Sequence, residues 1–270
     1  MRSRQISEVV AVDVAQEIHG SSLGVVAWVD AGGRPRVRGV VALVHDDRPA
    51  LAFTYADEAV AREVAQAPQV SLALHETRST GTTFRPMLMT GRPRLVEDAS
   101  GDLYLTELVT QELRRYPPSR VFADSPLLMR EHWWYLPRLV VEVDVDAVEP
   151  LAPRTASHDH LLVVVHDASP VVRAAGVRAH TQPRLGLDVL GTAPPPGAAV
   201  LFGQDASFPD LEQWSQWRYR GHWDGDAFAV EEAPERTGLG RAPGLLQRWR
   251  RQRAFERRCV AAIPRPRDNT

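Results

Sequence analysis

Lysine is absent from this 270-residue chain: all 32 basic side chains are arginine. Without a lysine ε-amine there is no Schiff base, which excludes covalent pyridoxal phosphate chemistry and lysine-imine aldol chemistry. A phosphate or carboxylate ligand must instead be met by arginine forks, backbone N–H groups or hydroxyls. Cysteine is nearly absent too. The single Cys259 excludes an internal disulfide framework and a cysteine-based zinc site, and suits a reducing compartment. Long apolar runs are missing: no stretch approaches roughly 18 apolar residues, and the opening MRSRQISEVV has no apolar signal region. Neither a membrane-spanning helix nor a signal peptide is expected, and the expected location is cytoplasmic. No charge sign dominates either. A formal net charge of -2 gives no overall pull toward nucleic acid or an anionic membrane. H-E-x-x-H, G-x-S-x-G, Walker and Rossmann glycine motifs are all lacking.

What is present is an ordinary globular composition, 44% hydrophobic and 24% charged, with length for one large or two modest domains. Residues 7–19 carry apolar residues at helical spacing behind a serine cap, predicting a helix. Strands are predicted at 23–30, 34–44 and 50–55, a helix at 57–67, strands at 70–76 and 84–98, a helix at 101–115 and a final strand within 130–150. In the arm RPRVRGVVAL, Arg36, Arg38, Val40 and Ala42 share one face of a strand. Two guanidiniums therefore sit side by side, next to a Gly39 that lets another group approach the backbone.

The motifs VDAGGRPRVR, FTY, PQVSLAL and TGRPRLVED occur in the order of these elements. Across residues 20–150 they resemble the FMN-binding split-barrel proteins of the pyridoxamine 5'-phosphate oxidase superfamily. The resemblance implies a mainly β fold with flanking helices, built as a split antiparallel β-barrel. It also implies a flavin, FMN or deazaflavin, as cofactor. In the family, the FMN phosphate is held by an arginine on the second strand, a lysine five residues later, and a Ser-Arg-Lys cluster opening the next helix. Carried over residue by residue, the arginine is Arg38 and the third-strand threonine is Thr54. The lysine position holds Leu43, and the cluster falls on Glu58, Ala59 and Val60, with Asp57 beside it. Two carboxylates thus stand where the family places phosphate donors. Arg36, Arg38 and Arg62 remain candidates for an anion site, and Trp133, Trp134 and Arg138, from REHWWYLPR, for the wall and edge of a planar ring.

Beyond a polar linker, LAPRTASH at 151–158, the pattern recurs. The hairpin 160–181 can be laid on 23–43, GAAVLFGQ at 197–204 on VSLALHE, and 217–233 on MLMTGRPRLVEDA. The closing stretch 244–263 falls in the place of the segment leading into the final strand. The expected organisation is a split-barrel domain over 1–150 and a second, degenerate copy over 157–263, paired as an intrachain pseudodimer or as a homodimer. The second copy would lend wall residues such as Trp217, Arg218 or Trp223.

Three functions follow as expectations. The first is a flavin-dependent oxidoreductase acting on a small organic molecule. The second is a haem enzyme or carrier, since some relatives bind haem through histidine, with His75 and His132 as candidate ligands. The third is a non-enzymatic binding protein with a closed pocket. His158 and His160, in the linker, read as solvated. The nine arginines of 241–267 read as a solvated helix face rather than a nucleic-acid contact.

Overall fold

The computed structural model describes residues 14–79, 84–181 and 183–264. Residues 7–13 of the predicted first helix lie outside them, and 14–20 are helical, forming α1. The first unit follows with β1 (Gly24–Val29), β2 (Pro35–Val40), β3 (Ala42–His45), β4 (Arg48–Thr54), α2 (Glu58–Gln66), β5 (Val70–Leu74), β6 (Met87–Asp98) and β7 (Arg138–Pro150). Between β6 and β7 lie a π-helical turn at Tyr104–Leu108, α3 (Val109–Arg115), α4 (Arg120–Ala123), α5 (Pro126–Glu131) and a 3-10 turn at Trp133–Tyr135. The sheet order is β2-β1-β5-β6-β7-β4-β3, all antiparallel. Since β2 and β3 are separated by Val41 alone, the two ends of the sheet are halves of one bent strand, and the sheet curls into a split barrel.

The second unit comprises β8 (Asp159–His166), β9 (Ser169–Thr181), β10 (Arg184–Val189), β11 (Gly197–Ala206), β12 (Trp214–Trp223) and β13 (Ala227–Glu232). It closes as a barrel in the order β10-β13-β12-β11-β8-β9, with β9 pairing back to β10. Reading β2 and β3 as one strand, this is the cyclic order of the first barrel. The fold is therefore a tandem pair of antiparallel barrels with flanking helices. The copies agree in detail. β6 breaks register between Thr90 and Gly91, and β12 between Arg220 and Gly221. At both glycines the neighbouring strand presses in: a Cβ on Gly91 would clash with the Asp144 carbonyl oxygen, and one on Gly221 with the Ala229 carbonyl oxygen. Each barrel bends at the same place for the same steric reason.

Two parts of the repeat differ from the sequence expectation. Residues 217–233 fold as most of the hairpin β12–β13 around a tight Asp224–Asp226 turn, because the long helical excursion between β6 and β7 has shrunk to three residues in the second copy. The closing stretch is α6 (Leu245–Ala262), and it packs on the first barrel, where Phe255 and Cys259 join a core with Tyr104, Trp134 and Tyr135. Phe255 and Cys259 fill the helical layer there, while Leu245, Leu246, Trp249 and Val260 of the same helix are exposed.

The barrels meet through equivalent strands. β1 contacts β9 as β8 contacts β2, and β5 contacts β9 as β11 contacts β2. Val25, Ala27, Val37 and Ala73 pack with Leu161, Val163, Val172 and Phe202 in one apolar cluster. This reciprocity is that of an isologous interface closed within one chain. The stretch 151–158 is pinned rather than loose. Arg154, 1% exposed, reaches Glu76 at 2.5 Å and the carbonyl oxygens of Ser157 and Asp159 at 3.0 Å. Burial alone would raise the Glu76 carboxyl, but Arg78 and Arg154 hold it below its ordinary value. His158 is exposed, but His160 is buried and accepts from the Trp217 indole N–H at 3.1 Å. The solvated reading of His160 is corrected, since strand pairing carries it inward.

Two measurements check this frame. Gly91→Ala and Gly221→Ala are each expected to cost about 1–3 kcal/mol in denaturant unfolding, the range for overpacking against rigid backbone. The pH dependence follows from His75 and His160, both held neutral and pushed down to about 4, chiefly by burial. The unfolded chain binds these protons from about pH 6.5 downward while the folded chain resists until about 4. Their stabilisation is thus complete above about pH 6.5 and is lost as pH falls toward 4. Unfolding midpoints are expected to drop across this window, and a His75→Gln/His160→Gln double variant to show a flatter slope.

Candidate functional site

The arginine pair of β2 lies opposite Trp28 and Val26 of β1 in the hairpin register, on the face that α2 covers. There the helix supplies carboxylates. Arg38 Nη2 lies 2.8 Å from Asp57, and Arg36 Nε lies 3.4 Å from Glu63. Arg62 bonds to Glu58 at 2.9 Å and Glu97 at 2.7 Å. All three basic residues of the expected anion site are therefore ion-paired within the chain.

Beside this face opens a cleft of about 300 Å³. One wall is Arg38, Thr54 and Asp57, and another is Phe122, Tyr135 and Phe255. Trp214 of the second unit closes it, stacked at a tilt on Tyr116 with 6.0 Å between ring centroids. The group that approaches Gly39 is this same second unit. Gln216 Oε1 accepts from the Gly39 N–H at 3.0 Å, and a Cβ on Gly39 would meet Trp214 at 2.6 Å and Gln216 at 2.7 Å.

Arg138 opens β7 opposite Thr54 and Asp98. It also lines the cleft, though it is 0% exposed. Its guanidinium lies against both Tyr104 and Tyr135, 3.8 and 4.2 Å from the centroids of rings that stand nearly perpendicular to each other. Nη1 bonds to the Pro137 carbonyl oxygen at 3.3 Å, whereas Nε and Nη2 donate no hydrogen bond. The balancing charge is Glu112, 3.8 Å from Nη2, whose carboxylate also accepts from the Tyr135 hydroxyl at 2.5 Å and from Ser119. Burial disfavours the Arg138 charge, but Tyr104, Tyr135 and Glu112 outweigh it and raise its pKa. Burial and Glu112 push the Tyr135 phenol well up, so it stays a neutral donor.

The structure thus brings Arg38, Thr54 and Arg138 to one cleft. It leaves the other expected residues elsewhere. Neither Arg36 nor Arg62 lines the cleft: Arg36 lies at Glu63, and the half-buried Arg62 is held by Glu58 and by Glu97 of β6. Trp133 is 52% exposed, and Trp134 is buried in the helical layer. The next residue, Tyr135, forms the aromatic wall instead, because the 3-10 turn points successive side chains in different directions. His75 is buried beside the Arg154 ion pairs, and His132 packs edge-on against Phe122 and Trp134; neither lines the cleft. Trp217 and Trp223 fill the second barrel's core, and Trp214 takes the wall position expected of them. Phe255 and Glu112 had no sequence signal, since nothing local places α6 or α3 against this barrel.

A split barrel with a cleft lined by Arg38 of β2 and Thr54 of β4, beside a second barrel of the same strand order, defines the class of split-barrel proteins. Residues 12–149 match the family described as pyridoxamine 5'-phosphate oxidase, and the chain belongs to that family. Similar solved structures include a pyridoxamine 5'-phosphate oxidase-related, FMN binding protein from Nostoc punctiforme PCC 73102, at 14% identity over 76% of this chain and 93% of that one, with a TM-score of 0.31. An F420 reductase matches at 18% identity over 50% and 94%, TM-score 0.35. The haem storage protein HutZ from Vibrio cholerae matches at 16% identity over 51% and 91%, TM-score 0.36. No curated protein matches the chain. Among the described residues, no helix is long and apolar enough to cross a membrane.

Removing the carboxylate that balances Arg138 tests the buried cluster. Glu112→Ala is expected to lower unfolding stability by about 3–5 kcal/mol, the cost of stranding a buried charge, while Glu107→Ala, on an exposed turn nearby, is expected to cost well under half of that.

Proposed function

We propose that the cleft binds a flat, conjugated small molecule with a hydrogen-bond-accepting edge, and that the chain does so without holding FMN in the family's usual pose. The observation that carries this reading is Arg138, a fully buried cation on the cleft wall whose Nε and Nη2 have no hydrogen-bond acceptor, with Glu112 standing 3.8 Å from Nη2. Glu112 and the two tyrosines balance its charge, and a ligand acceptor would add the hydrogen bonds that its unfilled donors lack. Tyr135, Phe122 and Phe255 offer ring faces for the conjugated body, and Trp214 excludes water.

The FMN phosphate fits poorly. Arg38, the one phosphate residue retained from the family pattern, is paired with Asp57 at 2.8 Å, and the first turn of α2 presents Glu58 in place of donors. A phosphate dianion placed there meets two carboxylates and must displace an existing ion pair. A haem would find no imidazole on the cleft wall. The second reading is flavin-dependent oxidation–reduction of a small organic substrate with FMN or a deazaflavin, and it is favoured by Arg38 and Thr54 keeping the family's positions on that wall. It requires Asp57 to yield Arg38 to the ligand.

Absorbance of the purified protein and fluorescence titrations with riboflavin and FMN separate the two. The expected result is no flavin bound on purification, with riboflavin binding at least as tightly as FMN. Arg138→Met is expected to weaken riboflavin binding about tenfold, the value of one charge-assisted hydrogen bond. Asp57→Asn is expected to tighten FMN about tenfold and leave riboflavin unchanged. Stoichiometric FMN in the purified wild-type protein, or riboflavin affinity unmoved by Arg138→Met, overturns the reading.

A further inference from the structure

Arg38 separates two cavities. On its other side, at the seam between the barrels, lies a pocket of about 140 Å³ lined by Arg36 and Arg38 of β2, Arg218 and Arg220 of β12, and apolar residues including Trp28 and Val200. The lining holds four guanidiniums and no carboxylate. Alternation along each strand places its two arginines on one face, so the barrel contact turns two separate pairs into one cluster.

Three of the four have an acid outside the pocket: Glu63 for Arg36 at 3.4 Å, Asp57 for Arg38 at 2.8 Å, and Glu232 for Arg220 at 2.6 Å. Arg218 has no carboxylate partner among the described residues. Its Nε donates to the Val37 carbonyl oxygen at 2.9 Å, and its guanidinium lies 5.7 Å from the Phe202 ring centroid. Burial, then the charges of Arg220, Arg38 and Arg36, lower its pKa from the ordinary arginine value. Holding a partly buried cation against three others is unfavourable, and the one bond to Val37 is within reach of a neutral glutamine.

We propose that this seam pocket binds a compact oxyanion of the phosphate class, as free phosphate or as the phosphoryl end of an organic ester, held by Arg218 and Arg220 of one barrel and Arg36 and Arg38 of the other. It differs in composition from the phosphate position implied by the family pattern, which runs from Arg38 to the first turn of α2, where Asp57 and Glu58 stand. Half of its donors belong to the second barrel. Arg36, Arg218 and Arg220 do not line the cleft; Arg38 is the arginine the two cavities share. An anion in the seam pocket ties the two barrels together and stabilises the folded chain by mass action.

The test is calorimetric titration and thermal unfolding of the full chain with inorganic phosphate, against sodium chloride at matched ionic strength. The expected result is saturable phosphate binding and a rise in Tm that chloride does not give. Arg218→Gln is expected to raise the phosphate Kd about tenfold or more, the value of a charge-assisted fork. Arg220→Gln, at a more exposed position, provides the same readout should Arg218→Gln fold poorly. The surface variant Arg92→Gln is expected to keep the wild-type phosphate response. Phenyl phosphate binding more tightly than inorganic phosphate assigns the pocket to an ester, and equal binding assigns it to the free anion. No saturable phosphate effect beyond chloride, or an equal loss in Arg92→Gln, overturns the proposal.

Discussion

The structure depends on β1 being apolar on both faces. In GVVAWV every residue is buried: Val26 and Trp28 point into the first barrel's core, and Val25 and Ala27 point out of it toward the second. A strand of this kind needs a layer on each side. The matching strand β8, with Leu161 and Val163 facing back, provides it. Two barrels that each carry a doubly apolar strand are therefore held together by the need to bury the same surface, and the chain contains both halves of the interface.

That contact sets the electrostatics around it. With arginine as the sole basic residue, every cation is a planar fork with several donors, and the first barrel satisfies most of its forks from within. Asp57 and Glu63 of the α2 region take Arg38 and Arg36, and Glu112 faces Arg138. The second-copy counterpart of Arg38 is Arg173, by its place opposite Leu162 in the β8–β9 hairpin as Arg38 stands opposite Val26. Arg173 donates to the Thr192 carbonyl oxygen at 3.1 Å, in the loop that replaces α2, and lies 3.7 Å from Glu149 at the end of β7. The two copies thus hold the same cation in different ways, and the cleft with its aromatic wall is built around the first.

The helical layer explains the asymmetry further. The excursion between β6 and β7 supplies Glu112, Ser119, Phe122 and Tyr135 to the cleft, and its counterpart between β12 and β13 is a three-residue turn. α6 then returns from the end of the second barrel to close the layer over the first, through Phe255 and Cys259. The cleft belongs to one barrel by its floor, to the other by Trp214, and to the chain's last helix by Phe255.

Strand alternation, the glycine at each mid-strand bend and the run of family motifs made the first barrel legible in the sequence, because periodicity two and a missing Cβ are local properties of the chain. The hairpin 160–181 was legible for the same reason. Even the close approach at Gly39 was visible as an expectation, though not its source, since Gln216 lies 177 positions away. What only the tertiary structure decided was non-local. A single strand and a hairpin share the pattern of 217–233 until its neighbours are known. An amphipathic α6 packs equally well, by pattern, on either barrel. The partner of each arginine depends on which carboxylates the fold brings near, so one-dimensional spacing showed a row of cations but not that Asp57 neutralises one of them while Arg218 is left facing three others.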